Sequence, residues 1–178
     1  MKRDINVFDY AKEITQALPK GILLTTKAGE KVNSMVIGWG FVGIEWAKPM
    51  FVAMVRTGRF TKEQLDVNPE FTINVPLGPV DSKIIKVCGT TTGRNRDKIA
   101  EAGLTLVDGQ TISVPAVKEL PLTLECKVLY QQLQDSSQIP EDVKKRFYPD
   151  GVPSSNTGAN EDLHVIYHAE ITNAYIIE

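Results

Sequence analysis

Residues 31–56 read KVNSMVIGWGFVGIEWAKPMFVAMVR, and how this stretch is divided decides the fold. Its end, MFVAMVR (50–56), is apolar almost throughout and reads as a buried strand. Its first part, KVNSMVIGWGFVGI (31–44), reads as a strand paired in a hairpin with KGILLTTK (20–27) across the tight turn AGE (28–30). EWAKP (45–49) is the turn into the buried strand. NSMVIGWG (33–40) fits this scheme badly, because Asn and Gly weaken a strand. Two causes are open: a bulge or barrel corner, where glycines gather, or a flat ligand lying against exposed backbone.

Working outward, FDYAKEITQAL (8–18) predicts an amphipathic helix with Phe8, Ala11, Ile14 and Leu18 on one face, ended by Pro19. In TGRFTKEQLDVNP (57–69), Thr61 followed by Gln64 has the form of a capping box, so a short helix should start at Thr61 and stop by Pro69. EFTINVPL (70–77) alternates Phe71, Ile73 and Val75 against Thr72 and Asn74, and Asp81 is placed to cap a helix over SKIIKVCG (82–89). LTLV (104–107), TISVPAV (111–117) and LPLTLECKVLYQQLQ (120–134) are β signals, and LHVIYHAEITNAYIIE (163–178) is a long strand. Seven or more strands joined by short turns, without βαβ alternation, predict a mainly β chain with a few helices: an antiparallel barrel or sandwich. One domain over 1–178 is expected, with a polar insertion at about 136–162 that holds a helical turn near PEDVKKRF (140–147). That insertion is too long for an ordinary barrel loop and reads as a flap or a contact arm.

The chain has 178 residues, 42% hydrophobic and 24% charged, with a formal net charge of −2. That is an ordinary globular composition, and its charge gives no reason to expect nucleic acid or an anionic membrane. No apolar run approaches the roughly 20 residues that span a bilayer, and MKRDINVFDYAKEI lacks the apolar core of a signal peptide, so a cytoplasmic protein is expected. Cys88 and Cys126 form neither a disulfide framework nor a ligand cluster. His164 and His168 share one face of a strand, but metal sites need three or four ligands, and no metal is expected.

Two further stretches could carry chemistry. VRTGRFT (55–61) places Arg56, Arg59 and Thr61 where a buried strand meets a helix start, a phosphate site unless the arginines are solvated loop charges. GTTTGRNRDK (89–98) is Gly-rich and polar but lacks P-loop spacing, and the glycines of GWGFVG precede no helix, so no dinucleotide site follows. No nucleophile–base pair can be assembled, and no side chain is expected to be catalytic; a cofactor is the economical inference for any enzyme built on this chain.

NSMVIGWGFVGIEWAKPMFVAMVRTGRFTKEQL, EFTINVP, CGTTTGRNRDKIAEAGLT, LPLTLECKV and HVIYHAEITNAY, in this order, resemble the flavin reductase-like family near its flavoredoxin-type members. The resemblance implies an FMN-binding split β-barrel, usually a homodimer, that takes hydride from NADH or NADPH and passes electrons to a small-molecule or protein acceptor. By the same resemblance Asn33, Ser34, Met35, Val36, Gly38 and Trp39 would lie along the isoalloxazine ring. Arg56, Arg59 and Thr61 would hold the phosphate, and Asn74, Arg94 and Lys98 would complete the pocket. His164 would face the nicotinamide or the flavin. Thr92 stands where many relatives carry Ser, which keeps the hydroxyl. The rival readings are a flavin-binding electron carrier or storage protein without its own NAD(P)H turnover, and a module for another flat cofactor such as haem, with His164 or His168 as axial ligand.

Overall fold

A computed structural model describes residues 1–149 and 162–178. The chain runs β1 (Lys2–Asp4), α1 (Ala11–Ala17), β2 (Ile22–Ala28), β3 (Lys31–Ile37), β4 (Gly40–Glu45), β5 (Lys48–Arg56), α2 (Phe60–Val67) and β6 (Glu70–Val75). It continues with α3 (Ser82–Thr90), α4 (Lys98–Ala102), β7 (Leu106–Val107), β8 (Ala116–Val117), β9 (Leu122–Leu133), α5 (Glu141–Phe147) and β10 (His164–Ile177). Seven strands form one path in the order β3-β2-β6-β9-β10-β5-β4, with β1 beside β10, while β7 and β8 pair apart. Each of these pairings is antiparallel.

The two ends of that path, β3 and β4, are consecutive in the chain, separated by Gly38 and Trp39. A sheet whose first and last strands are joined by two residues must curl on itself, and here it curls into a mainly β, split barrel. The expected single strand over 31–44 is therefore two strands, broken at Gly38 and Trp39, where the chain leaves β2. Among the described residues no ladder joins β3 to β4 or β5, although β3 touches β5 across the seam. At Gly40 a Cβ would come within 2.8 Å of the Val52 carbonyl oxygen, so the close approach of β4 to β5 beside the seam requires glycine.

Alternation sets the core. Phe51, Ala53 and Val55 of β5 face inward opposite Ala169, Tyr167 and Val165 of β10, and meet Phe71, Ile73 and Val75 of β6 and Leu122, Leu124 and Cys126 of β9. Ile14 of α1 and Leu18 plug one end of this cluster. Outside the barrel wall a second cluster packs Leu23 of β2 against Ile84 and Cys88 of α3, Ala102 of α4 and Leu120. Each such side chain contributes roughly 1.5–3 kcal/mol on burial, which is why β2 and β6 are buried on both faces.

The local expectations meet mixed outcomes. Residues 7–10 form a 3-10 turn before α1, and its tighter repeat buries Val7 while leaving Phe8 41% exposed. Asp81 caps α3, accepting from the Lys83 N–H at 2.8 Å. The capping box at Thr61 does not form: α2 starts at Phe60 after Arg59, and Gln64 turns inward to bond Thr26 Oγ1 at 2.6 Å and the Lys31 carbonyl at 2.7 Å. The β4–β5 turn puts Trp46 and Ala47 at φ of 51° and 57°, a left-handed pair that costs roughly 1–2 kcal/mol per residue. The helical turn expected near 140–147 is α5. Residues 150–161 of the polar insertion lie outside the described residues.

Candidate functional site

The seam holds a cleft of about 170 Å³. Met35, Val36, Ile37, Gly38 and Trp39 form one side, and Met54, Arg56, Arg59 and His164 the other. The odd residues at 33–40 are thus both a corner of the barrel and a wall of its cleft. Arg56 and His164 arrive together because they pair across β5 and β10.

The two arginines are in opposite states. Arg56 Nη1 donates to the carbonyls of Phe147 (3.1 Å) and Asp162 (2.8 Å), and its guanidinium lies over the rings of Tyr148 (5.2 Å) and Trp39 (5.8 Å). Arg59 makes no side-chain hydrogen bond or ion pair among the described residues. Burial, and then the neighbouring Arg56, lower its affinity for its proton, while Asp162 opposes both. A half-buried guanidinium with five donors and no acceptor is a group waiting for an anion.

Around it lies a cradle that accepts one. The Asp162 carboxylate takes hydrogen bonds from Thr57 Oγ1 at 2.5 Å and from the Gly58 N–H. Among the described residues no side chain caps the N-terminus of α2, which starts two residues further on. His164, 5% exposed, receives or donates a 2.9 Å bond between Nδ1 and Tyr148 Oη, and its ring lies 5.0 Å from that of Trp39. Burial first, and then Arg56, lower the His164 pKa to about 4, so the imidazole is neutral at pH 7. Phe147 meets Trp39 edge-on at 5.2 Å, which sets the end of α5 against the cleft.

Of the residues expected along the cofactor, Met35, Val36, Gly38, Trp39, Arg56, Arg59 and His164 line the cleft. The others do not reach it, each for a visible reason. Asn33 is buried beneath α2, its Nδ2 donating to Thr61 Oγ1 at 3.1 Å, so Thr61 is turned inward as well. Ser34 is fully buried against Thr25, 2.6 Å between hydroxyls. Asn74 faces the opposite wall of the molecule and bonds Val117, Leu120 and Thr123. Arg94 pairs with Glu63 of α2 and donates to the Gly58 carbonyl at 3.0 Å. Lys98 points its amine at the carbonyls of Cys88 (3.1 Å) and Thr91 (3.3 Å), closing the end of α3, and burial lowers its pKa to about 8.

Met54, Thr57, Gly58, Tyr148 and Asp162 are among the site residues that the sequence did not point to. Thr57 and Gly58 lay inside a stretch singled out for its arginines; Asp162 and Tyr148 come from the polar insertion, where no local pattern marks them. His168 bonds Glu45 at 2.7 Å and meets the Tyr130 ring edge-on, away from His164. Among the described residues no three His, Cys, Asp or Glu side chains could hold a metal, and no helix is long and apolar enough to cross a membrane.

The sequence pattern of the family described as flavin reductase like domain matches residues 16–178. The chain belongs to that family. An uncharacterized protein of Archaeoglobus fulgidus is 28% identical over 125 residues, which cover 70% of this chain and 66% of that relative's length, just under two thirds. The structure of an FMN-binding domain of a flavin reductases-like enzyme from Shewanella baltica superposes with a TM-score of 0.66 at 16% identity, covering 99% of this chain and 77% of its own. Flavoredoxin of Desulfovibrio vulgaris superposes with 0.64 at 21%, covering 89% and 69%. At these identities the two structures share a fold with this chain, and it is a fold on which FMN-binding proteins are built.

The donor set tests whether such a cofactor suits this family member. A phosphate needs convergent hydrogen-bond donors and positive charge, and the cradle of Thr57 and Gly58 already holds a carboxylate beside Arg59, whose side chain is unpaired among the described residues. The phosphate end therefore fits. At about 170 Å³ the cleft is smaller than the about 300 Å³ at which small-molecule sites begin, and the segment 141–148 lies against two of its walls.

Proposed function

We propose that this chain binds FMN at the barrel seam and acts as an NAD(P)H-dependent flavin or ferric reductase-type oxidoreductase. The observation that carries the reading is the partly desolvated Arg59, whose side chain is unpaired among the described residues, next to a cradle already holding an anion. Arg59, Arg56, Thr57 and the Gly58 N–H would hold the phosphate, and Met35, Val36, Gly38 and Trp39 would flank the ring. When bound, FMN supplies two-electron chemistry, accepting hydride from NADH or NADPH and passing electrons to a small-molecule or protein acceptor. The chain's own residues bind and orient. Trp39 and Met54 exclude water, and neutral His164 presents a hydrogen-bonding edge without adding a third positive charge beside the arginines. Hydride transfer requires no protein acid or base, which fits a cleft without a nucleophile–base pair among the described residues.

We also propose that the protein is a homodimer. The outer face of β4, β5, β10 and β9 exposes Phe41 (60%) and Tyr130 (43%) beside the unpaired edge of β4, and a patch of this kind marks an interface. A monomeric mass in sedimentation would remove this part of the reading.

Titrating the protein into FMN and following the visible absorption bands tests the cofactor. A perturbed spectrum with saturable binding supports it, and an unchanged one overturns it. Consumption of NADH or NADPH by the loaded protein then tests the enzyme. A second reading, an electron carrier without NAD(P)H turnover, is favoured by the position of 141–148 against the cleft, which leaves little room for a nicotinamide; binding without turnover would decide for it.

A further inference from the structure

The structure points to Asp162 as a built-in competitor for the phosphate: its carboxylate occupies the cradle that an incoming phosphate would need, so the ligand binds by expelling it. This inference rests on the flavin reading above. One Asp162 oxygen, Oδ2, takes both the Thr57 hydroxyl and the Gly58 N–H, the two donors that precede Arg59 and the uncapped N-terminus of α2. Its backbone is fixed to the same loop, since the Asp162 carbonyl accepts from Arg56 at 2.8 Å and the Leu163 carbonyl accepts from the Thr57 N–H at 3.0 Å. The anion therefore reaches the cradle on a short tether, at high effective concentration.

An internal carboxylate is nevertheless an incomplete match. It carries one charge against the larger charge of a phosphate monoester and brings fewer acceptor oxygens. The Arg59 guanidinium stays without a hydrogen bond among the described residues, so the carboxylate leaves part of the donor set unused. A phosphate that engaged Thr57, Gly58 and Arg59 together would make more charge-assisted bonds than the tethered Asp162 does. Two anions at one oxygen's distance repel strongly in a half-buried site, so both cannot stay.

Displacement would also act at a distance. Arg56 holds the carbonyls of Asp162 and Phe147 through one nitrogen, so a movement of Asp162 loosens the hold on the end of α5. Phe147 and Tyr148 would then be free to leave Trp39 and His164, enlarging a cleft that is narrow while they are seated. Phosphate recognition and access to the ring's binding wall are coupled in this way.

The test is D162N, which keeps the side chain's shape and removes its charge. FMN and riboflavin are titrated by fluorescence against both proteins, with inorganic phosphate as a third probe read by thermal stabilisation. The expected result is an FMN Kd about tenfold lower in D162N, an unchanged riboflavin Kd, and larger stabilisation by phosphate. An FMN Kd that is unchanged or higher in D162N overturns the inference, because Asp162 would then organise the cradle. Equal tightening of FMN and riboflavin also overturns it, since the effect would not belong to the phosphate. If neither flavin binds either protein, the phosphate probe decides separately: greater stabilisation of D162N keeps the competing anion while the flavin reading falls, and equal stabilisation removes both.

Discussion

Asn33 and Asn74 are both buried, both on strands of one barrel, and treated in opposite ways. Asn74 donates to the carbonyls of Val117 and Leu120 and to Thr123 Oγ1, and its oxygen accepts from the Val117 N–H. The Asn33 side chain has one bond, to Thr61, and its buried Oδ1 has no partner among the described residues. On the far wall the same care extends to Glu125, whose carboxylate takes the N–H groups of Gln110 (2.7 Å) and Thr111 (2.6 Å) and the Thr111 hydroxyl (2.7 Å). On the seam side Arg59 and Asn33 are left short, and at Gly93 a Cβ would come within 2.1 Å of Asn33 Oδ1. Buried polar groups are normally satisfied. Where they are, as at Asn74 and Glu125, they build the fold; among the described residues Asn33 Oδ1 and the hydroxyls of Tyr167 and Tyr175 are the buried exceptions.

The contrast predicts where mutations will be felt. N74A removes the side-chain bonds to the Val117 N–H, to the Val117 and Leu120 carbonyls and to Thr123 Oγ1, and should cost about 3 kcal/mol in urea unfolding, which lowers Tm by roughly 6–12 °C. A loss under about 1 kcal/mol would break the comparison at its satisfied end. Next comes pH. His164 folds at a pKa of about 4 against 6.5 for an exposed imidazole, so as pH falls the unfolded chain takes up the proton first. The stabilisation is complete above about 6.5 and is lost progressively towards about 4, up to about 3 kcal/mol in all. H164Q should flatten this part of the stability–pH curve; parallel curves for the two proteins would mean that His164 is not held neutral.

R59A sharpens the comparison at its unsatisfied end. Stability should change by less than about 0.5 kcal/mol, because no bond is lost, while the FMN Kd rises about 10- to 100-fold. Loss of stability without loss of affinity would reverse the assignment. The smallest expected effect is Y148F, which removes the hydroxyl bonded to His164 and should cost about 1 kcal/mol of stability with the phosphate cradle intact.

Much of this was legible in the chain. The strands at 50–56 and 70–75, the Asp81 cap and the helix near 140–147 depend on neighbours a few residues apart, and they form where they were expected. The break at Gly38 was visible as a misfit, but its outcome was not, because the place where β4 rejoins is set by β5 and β10. The site divided in the same way. Arg56, Arg59 and Trp39 announce themselves by type and position, whereas Asn33, Thr61, Asn74 and Lys98 are polar residues whose partners lie 7 to 49 positions away. Spacing along the sequence cannot say whether a polar group will be satisfied. Asp162 is the extreme case, bonded to Thr57 across 105 positions from a stretch with no pattern of its own.

The place of β10 has a consequence for how the molecule is made. It lies between β9 and β5 and carries β1 on its flank, yet it follows every other strand in the chain. Until it arrives, β4 and β5 form one hairpin and β3, β2, β6 and β9 another sheet, each with an open edge and half a core. Closure must wait for pairings such as His164 with Arg56, whose loop is long and entropically costly. Folding should therefore show one slow, late step in which both half-sheets gain protection from hydrogen exchange together, and the cleft comes into being in that same step.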